Sequence, residues 1–131
     1  MERALRVAPY NIRSVANKLK SEGFDHVKSL TGIDRPENGR IDLVYHLSSY
    51  LNPTIEGNVI EIRTEVDRTN PTIASISDLF QSCKYMELET RDLFGVKFSG
   101  NDEPDPFILP NELKGAWPLR KDYKLKEEGI E

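Results

Sequence analysis

Apolar and polar positions alternate along this chain with two distinct periods. After Pro9, Ile12, Val15, Ala16 and Leu19 fall at i, i+3, i+4 and i+7, with Arg13, Asn17, Lys18 and Lys20 mostly opposite. That spacing predicts an amphipathic helix, ended at Gly23. Val27 and Leu30 suggest a short strand, and residues 33–40, through Asp34-Arg35-Pro36-Glu37-Asn38-Gly39, have the composition of a turn. Two period-two runs come next. Ile41, Leu43, Tyr45 and Leu47 alternate with Asp42, Val44, His46 and Ser48; after a loop through Asn52-Pro53 and Gly57, Ile60, Ile62, Thr64 and Val66 alternate with Glu61, Arg63, Glu65 and Asp67. Both read as strands, and the second, with one face charged, as part of a sheet wet on one side. A polar turn over 67–71 leads to a second helical region. There Ser75 and Asp78 resemble a capping box, Ile76, Leu79, Phe80 and Cys83 form an apolar stripe, and the pattern runs through Tyr85 and Met86 to Leu93 and Phe94, ending at Gly95.

Beyond Val96-Lys97-Phe98 the character changes. Pro104, Pro106, Pro110 and Pro118 are four of the eight prolines, so this stretch is neither a regular helix nor a central strand. Phe107, Ile108, Leu109, Leu113, Trp117 and Leu119 also make it unlike a disordered segment. Stiff backbone carrying large apolar side chains suits a segment laid across a surface at low entropic cost. That surface is either a partner or the chain's own domain. The expected fold is therefore α+β: a small mixed or antiparallel sheet with two main helices over 1–98, and an extended proline-rich tail over 99–131 that docks on a partner subunit.

Composition narrows the chemistry. At 131 residues, 37% hydrophobic and 31% charged, the chain has material for one core. No apolar run approaches the roughly 20 residues that span a bilayer, and the first residues lack the apolar centre of a secretion signal. A net charge of −4 disfavours nucleic acid as main partner. The basic residues Arg120, Lys121, Lys124 and Lys126 read as a solvated tail. Cys83 is the sole cysteine, which excludes a disulfide framework or a cysteine cage for zinc or iron–sulfur, fits a reducing cytoplasmic setting, and reads as a core residue. His26 and His46 lack a second-ligand motif, and neither a phosphate loop nor a nucleophile elbow occurs. Asp102-Glu103-Pro104-Asp105 has the wrong spacing for a calcium loop.

The densest polar cluster is Glu87, Glu89, Arg91 and Asp92. Glu87 and Arg91, at i and i+4, are spaced to pair along one face, and Glu89 and Asp92, at i and i+3, to lie together on another. Three readings stay open: a solvated face, a docking face, or an acid–base pair Glu89/Asp92 in a stand-alone enzyme, which would require a pocket.

The stretch Tyr85-Met86-Glu87-Leu88-Glu89-Thr90-Arg91-Asp92-Leu93-Phe94-Gly95-Val96-Lys97-Phe98, with Ile108-Leu109-Pro110 and Pro118-Leu119-Arg120-Lys121-Asp122-Tyr123, resembles the thirty-kilodalton subunit family of respiratory complex I (NADH-quinone oxidoreductase) and related membrane-bound hydrogenases. That family's pattern reads E-x-E-x-x-D-[LM]-[FY]-G-[IV]-x-F and then P-L-R-K-D-[YF]. Its common G-H-P-D-L-R-R is replaced here by Gly100-Asn101-Asp102-Glu103-Pro104-Asp105-Pro106, and its Gly-His before the second motif by Ala116-Trp117. These departures tilt towards the ferredoxin- or hydrogenase-linked branch. The resemblance implies a subunit of an ion-translocating oxidoreductase complex that binds no cofactor of its own. The iron–sulfur clusters, and any NiFe centre, flavin or quinone, belong to neighbours. The implied partners are a hydrogenase-large-subunit-like protein and a small iron–sulfur subunit, on the cytoplasmic face of the membrane. The implied interface residues are Glu87, Glu89, Asp92, Phe107, Trp117, Arg120, Lys121 and Asp122.

Overall fold

A computed structural model describes residues 3–52 and 58–123. Pro53 and Gly57 of the expected loop, and Lys124 and Lys126 of the basic cluster, lie outside the described residues. Strands β1 (Arg3–Arg6), β2 (His26–Arg35), β3 (Arg40–Ser48) and β4 (Ile60–Asp67) form a mixed sheet in the order β1-β4-β3-β2. β3 is antiparallel to both neighbours, and β1 joins β4 in parallel. The predicted alternation places Ile41, Leu43, Tyr45 and Leu47 of β3 beside Ile60, Ile62 and Val66 of β4, all buried in one core. Helix α1 (Ile12–Ser21) adds Ile12, Ala16 and Leu19 to that core, the stripe its spacing predicted.

The opposite face of the sheet is held by polar contacts. His46 Nε2 lies 3.1 Å from Glu61, His46 Nδ1 lies 3.0 Å from Ser29 Oγ, and Arg63 Nε donates to Glu61 at 2.9 Å. Arg40 and Arg35 both donate to Asp42, so even the outward side of β3 is largely covered by long side chains.

Helix α2 (Cys83–Phe94) packs on β2. The approach is close because Gly32 has no side chain: a Cβ there would lie 2.8 Å from the Phe94 ring. Ser82 Oγ fastens the start of α2 by accepting from Val27 N–H and donating to Val27 C=O, both at 3.0 Å. A second, two-stranded parallel sheet joins β5 (Thr72–Ala74) to β6 (Lys97–Ser99), where the chain enters its proline-rich part.

Three expectations need correction, and one strand goes unpredicted. Residues 33–35 are not turn but the end of β2; the turn is confined to a 3-10 segment, Pro36–Asn38, closed by Gly39. β1 is an additional strand, invisible to pattern because Arg-Ala-Leu-Arg has no readable period. The second helix begins at Cys83, not near Ser75, and residues 72–74 form a strand. No capping box forms, since Asp78 takes the Arg13 guanidinium at 2.7 and 2.9 Å and the Ser75 hydroxyl turns to Glu87.

Candidate functional site

The two inward acids of α2 hold the chain around them. Glu87 is fully buried. Its Oε1 accepts from Ser75 Oγ at 2.6 Å and Asn101 Nδ2 at 2.9 Å; its Oε2 accepts from Ile76 N–H at 2.9 Å and lies 3.7 Å from the Cys83 thiol. These donors make a buried carboxylate tolerable. Burial nonetheless leaves its pKa above the ordinary value. Burial, with Glu87 beside it, also pushes the Cys83 thiol well up, so Cys83 is an inert core group.

One turn on, Asp92 Oδ2 receives three consecutive backbone N–H groups: Phe107 and Ile108 at 2.7 Å and Leu109 at 3.3 Å. Its Oδ1 accepts from Arg91 Nη2 at 2.8 Å. Burial pushes the Asp92 carboxyl up, but these donors outweigh it and hold the pKa below the ordinary value. Arg91 reaches the same segment from its other side, donating to the carbonyls of Glu103 at 2.7 Å and Asp105 at 2.9 Å. Glu87 and Arg91 therefore do not pair. The expectation of a solvated or docking face is corrected for Glu87 and Asp92, whose oxygens are spent inside the chain.

The second motif closes over the end of the same helix. Leu119 N–H donates to Leu93 C=O at 3.0 Å and Arg120 Nε to Phe94 C=O at 2.7 Å, giving partners and a positive charge to the terminal carbonyls of α2. The Trp117 ring lies against Gly95, where φ is 81° and a Cβ would sit 2.6 Å from the indole. Arg120 stands over that ring at 4.3 Å, and Trp117 itself has a left-handed φ of 50°. Lys121 N–H then donates to Asp34 at 2.7 Å, and Arg68 clamps the same carboxylate at 2.7 and 3.0 Å while reaching Asp122 at 3.0 Å. The Arg68 contact holds the Asp34 carboxyl below its ordinary pKa.

With its polar backbone fixed inward, the segment over 99–123 turns apolar side chains out. Phe107 stacks on Tyr85 of α2 at 5.2 Å, yet both remain substantially exposed, as do Ile108 and Leu119. Glu89 is exposed on the same helix, and Lys121 and Asp122 are exposed at the far end. Trp117 is at the margin of exposure, and Arg120 is half-buried. A cavity of about 210 Å³ beneath the segment is lined by Arg91, Asp92, Pro104, Leu109, Lys114 and Trp117, among others, but not by Glu89. Glu89 and Asp92 thus share no pocket, and Asp92 has no oxygen free for acid–base work. Among the described residues no three His, Cys, Asp or Glu side chains are grouped to hold a metal ion, and no helix is long and apolar enough to cross a membrane.

Residues 5–129 match the family described as respiratory-chain NADH dehydrogenase, 30 Kd subunit. The chain belongs to this family. A subunit of the F(420)H(2) dehydrogenase of Methanosarcina mazei is 33% identical over 127 residues, covering 89% of this chain and 78% of the relative. A subunit of the NADH-quinone oxidoreductase of Moorella thermoacetica is 35% identical over 130 residues, covering 98% and 84%. In structure, a chain of the membrane-bound sulfane sulfur reductase, an archaeal respiratory membrane complex, superposes with a TM-score of 0.84 at 28% identity, covering 99% of this chain and 79% of that one. A trypsin-resistant fragment of Nqo5 gives 0.66 at 25% identity, covering 75% and 79%.

In this member of the 30 Kd subunit family, the two motifs are parts of one construction. Glu87, Asp92, Phe94 and Gly95 from the first hold Asn101, Phe107, Arg120 and Trp117 of the downstream segment. Sequence reading missed Asp34, Arg68 and Asn101, which meet this site across sequence separations of 87, 34 and 14 residues. No local pattern marks them.

Proposed function

We propose that this chain is a non-catalytic, cofactor-free assembly subunit of the peripheral arm of a membrane-bound, ion-translocating oxidoreductase of the complex I and membrane-bound [NiFe] hydrogenase superfamily. The observation that carries this reading is the strapped segment, whose polar backbone is tied inward by Asp92, Arg91 and Asp34 while Phe107, Ile108 and Leu119 face out. A free soluble chain gains nothing from rigidly displayed aromatic and aliphatic groups, whereas a docking surface gains affinity from their pre-organisation. The names of the relatives supply the setting: subunits of F(420)H(2) dehydrogenase and NADH-quinone oxidoreductase, and a chain of a respiratory membrane complex.

On this reading the strap face, with Tyr85, Phe107, Ile108 and Leu119 at its centre and Glu89, Lys121 and Asp122 on its rim, lies against a hydrogenase-large-subunit-like protein beside a small iron–sulfur subunit. This peripheral arm of the complex lies on the cytoplasmic face of the membrane. Neighbouring subunits hold the clusters and carry the electrons. Gentle detergent extraction of membranes carrying a tagged chain, followed by native separation and mass identification, tests this. Migration in a large assembly with iron–sulfur and membrane subunits is the expected result. A chain running alone at its own 15.0 kDa in the soluble fraction overturns it.

A further inference from the structure

We infer that the chain has a second docking surface, at the end of the sheet away from the strapped motif, and that it receives an acidic–apolar segment of another subunit. This rests on the reading of the chain as a complex subunit. Tyr50 and Leu51 lie just beyond β3 and are 77% and 84% exposed, among the most exposed large apolar side chains described. They are not on a loose loop. The Asp25 carboxylate accepts from Tyr50 N–H at 3.0 and 3.1 Å, from Leu51 N–H at 2.9 Å and from Ser49 Oγ at 3.0 Å. Ser49 Oγ in turn accepts from Asn52 N–H at 3.0 Å. The Tyr50 ring lies flat on His26, 3.7 Å between centroids and 1° between planes, and His26 is itself fixed between Asp25 at 2.8 Å and Ser48 Oγ at 2.7 Å.

This is a dense set of contacts for holding two large apolar groups in water. Pre-organised aromatic and aliphatic anchors of this kind lower the ordering cost of binding. Beside them an open cleft of about 610 Å³ has Phe24, Leu79, Leu51, Gln81, Lys20 and Asp25 among its lining residues. Of its two charged groups, Lys20 and Asp25, only one is free to select the occupant. Asp25 is already committed to His26 and to the loop N–H groups, which hold its pKa far below the ordinary carboxylate value. Lys20, exposed in the last turn of α1, joins no ion pair among the described residues. A cleft that offers Phe24, Leu51 and Leu79 beside the uncommitted ammonium of Lys20 fits a segment carrying a large apolar side chain next to Asp or Glu.

The test places a photo-crosslinking amino acid at Leu51, and in a parallel sample at Phe107, in the complex assembled in native membranes. The expected result is a Leu51 adduct to one subunit segment containing Asp or Glu beside an apolar residue. Lys20→Glu should lower its yield at least tenfold, with the Phe107 adduct and the melting temperature of the isolated chain unchanged. An adduct at Phe107 with none at Leu51, a Leu51 adduct to lipid or to a basic segment, or a yield indifferent to Lys20→Glu, overturns the second surface. Loss of both adducts, with the chain outside any assembly, instead overturns the subunit reading.

Discussion

Replacing Asp92 with Ala removes the acceptor for three consecutive strap amides. Two of those bonds are 2.7 Å long and the third is 3.3 Å, on a carboxylate only 6% exposed. A hydrogen bond to a charged group is worth about 1.5–3 kcal/mol net. The two short bonds dominate, and shared bonds do not add fully, so local opening of the strap should become easier by about 3–5 kcal/mol. At about 1.4 kcal/mol per factor of ten, amide hydrogen exchange at Phe107, Ile108 and Leu109 should accelerate by roughly two to three and a half orders of magnitude. Exchange in β3 and β4 should change far less, because the hydrogen bonds of Asp92 run to Arg91 and the strap and not to the sheet. Asp92→Asn keeps one carbonyl oxygen for the strap and should fall between wild type and Ala. Trp117 is the only tryptophan, so acrylamide quenching of its fluorescence reports the same event independently. Unchanged protection at 107–109 in a folded Asp92→Ala protein refutes the clamp. So does equal loss across the whole chain, since that marks Asp92 as a general core residue.

Gly95→Ala puts a methyl group where the Trp117 indole lies, at a φ of 81°; a cost of about 2–4 kcal/mol and a red-shifted, more quenchable Trp117 are expected, read by thermal melting and fluorescence. Glu87 has a raised pKa in the folded chain, so its contribution is fully present below the unfolded value of 4.5 and is lost as pH rises through the folded pKa. Melting temperatures from pH 4.5 to 7 should therefore decline more in wild type than in Glu87→Gln; parallel curves contradict this. Glu87→Gln should also lower stability at its best pH by about 1–3 kcal/mol, because an amide cannot accept from all the donors around it. Cys83, buried with its thiol pKa pushed up, should resist a thiol reagent in native buffer and react at once in denaturant.

Local periodicity made half of this fold readable. The α1 stripe and the alternation of β3 and β4 arise because each element turns one face to a single core, and burial imprints that face on the sequence. Elements made by distant partners left no such imprint. β5 and β6 are three residues each and pair across about 25 positions, too short for a period to show. The apparent capping box at Ser75 and Asp78 is outcompeted from afar, by Glu87 and Arg13. The site divides in the same way. Spacing identifies Glu87, Glu89, Arg91 and Asp92 as a cluster, but helix geometry cannot distinguish a carboxylate turned to water from one filled by donors brought by the strap. The proline-rich segment combines a stiff backbone with large apolar groups, and both are legible in its composition. The choice of surface beneath it depends on Asp92 at one point and Asp34 with Arg68 at another each taking hold of the segment in three dimensions.

Hydroxyl-radical footprinting of the isolated chain and of the assembled complex tests the proposed docking face most directly. Tyr85, Phe107, Ile108 and Leu119 are exposed in the chain, as is Tyr10 at 87%. In the complex, oxidation of the first four should fall at least tenfold while the fold around them is unchanged. If those four side chains are oxidised equally in the free chain and the complex, the outer face of the strap is not the docking surface.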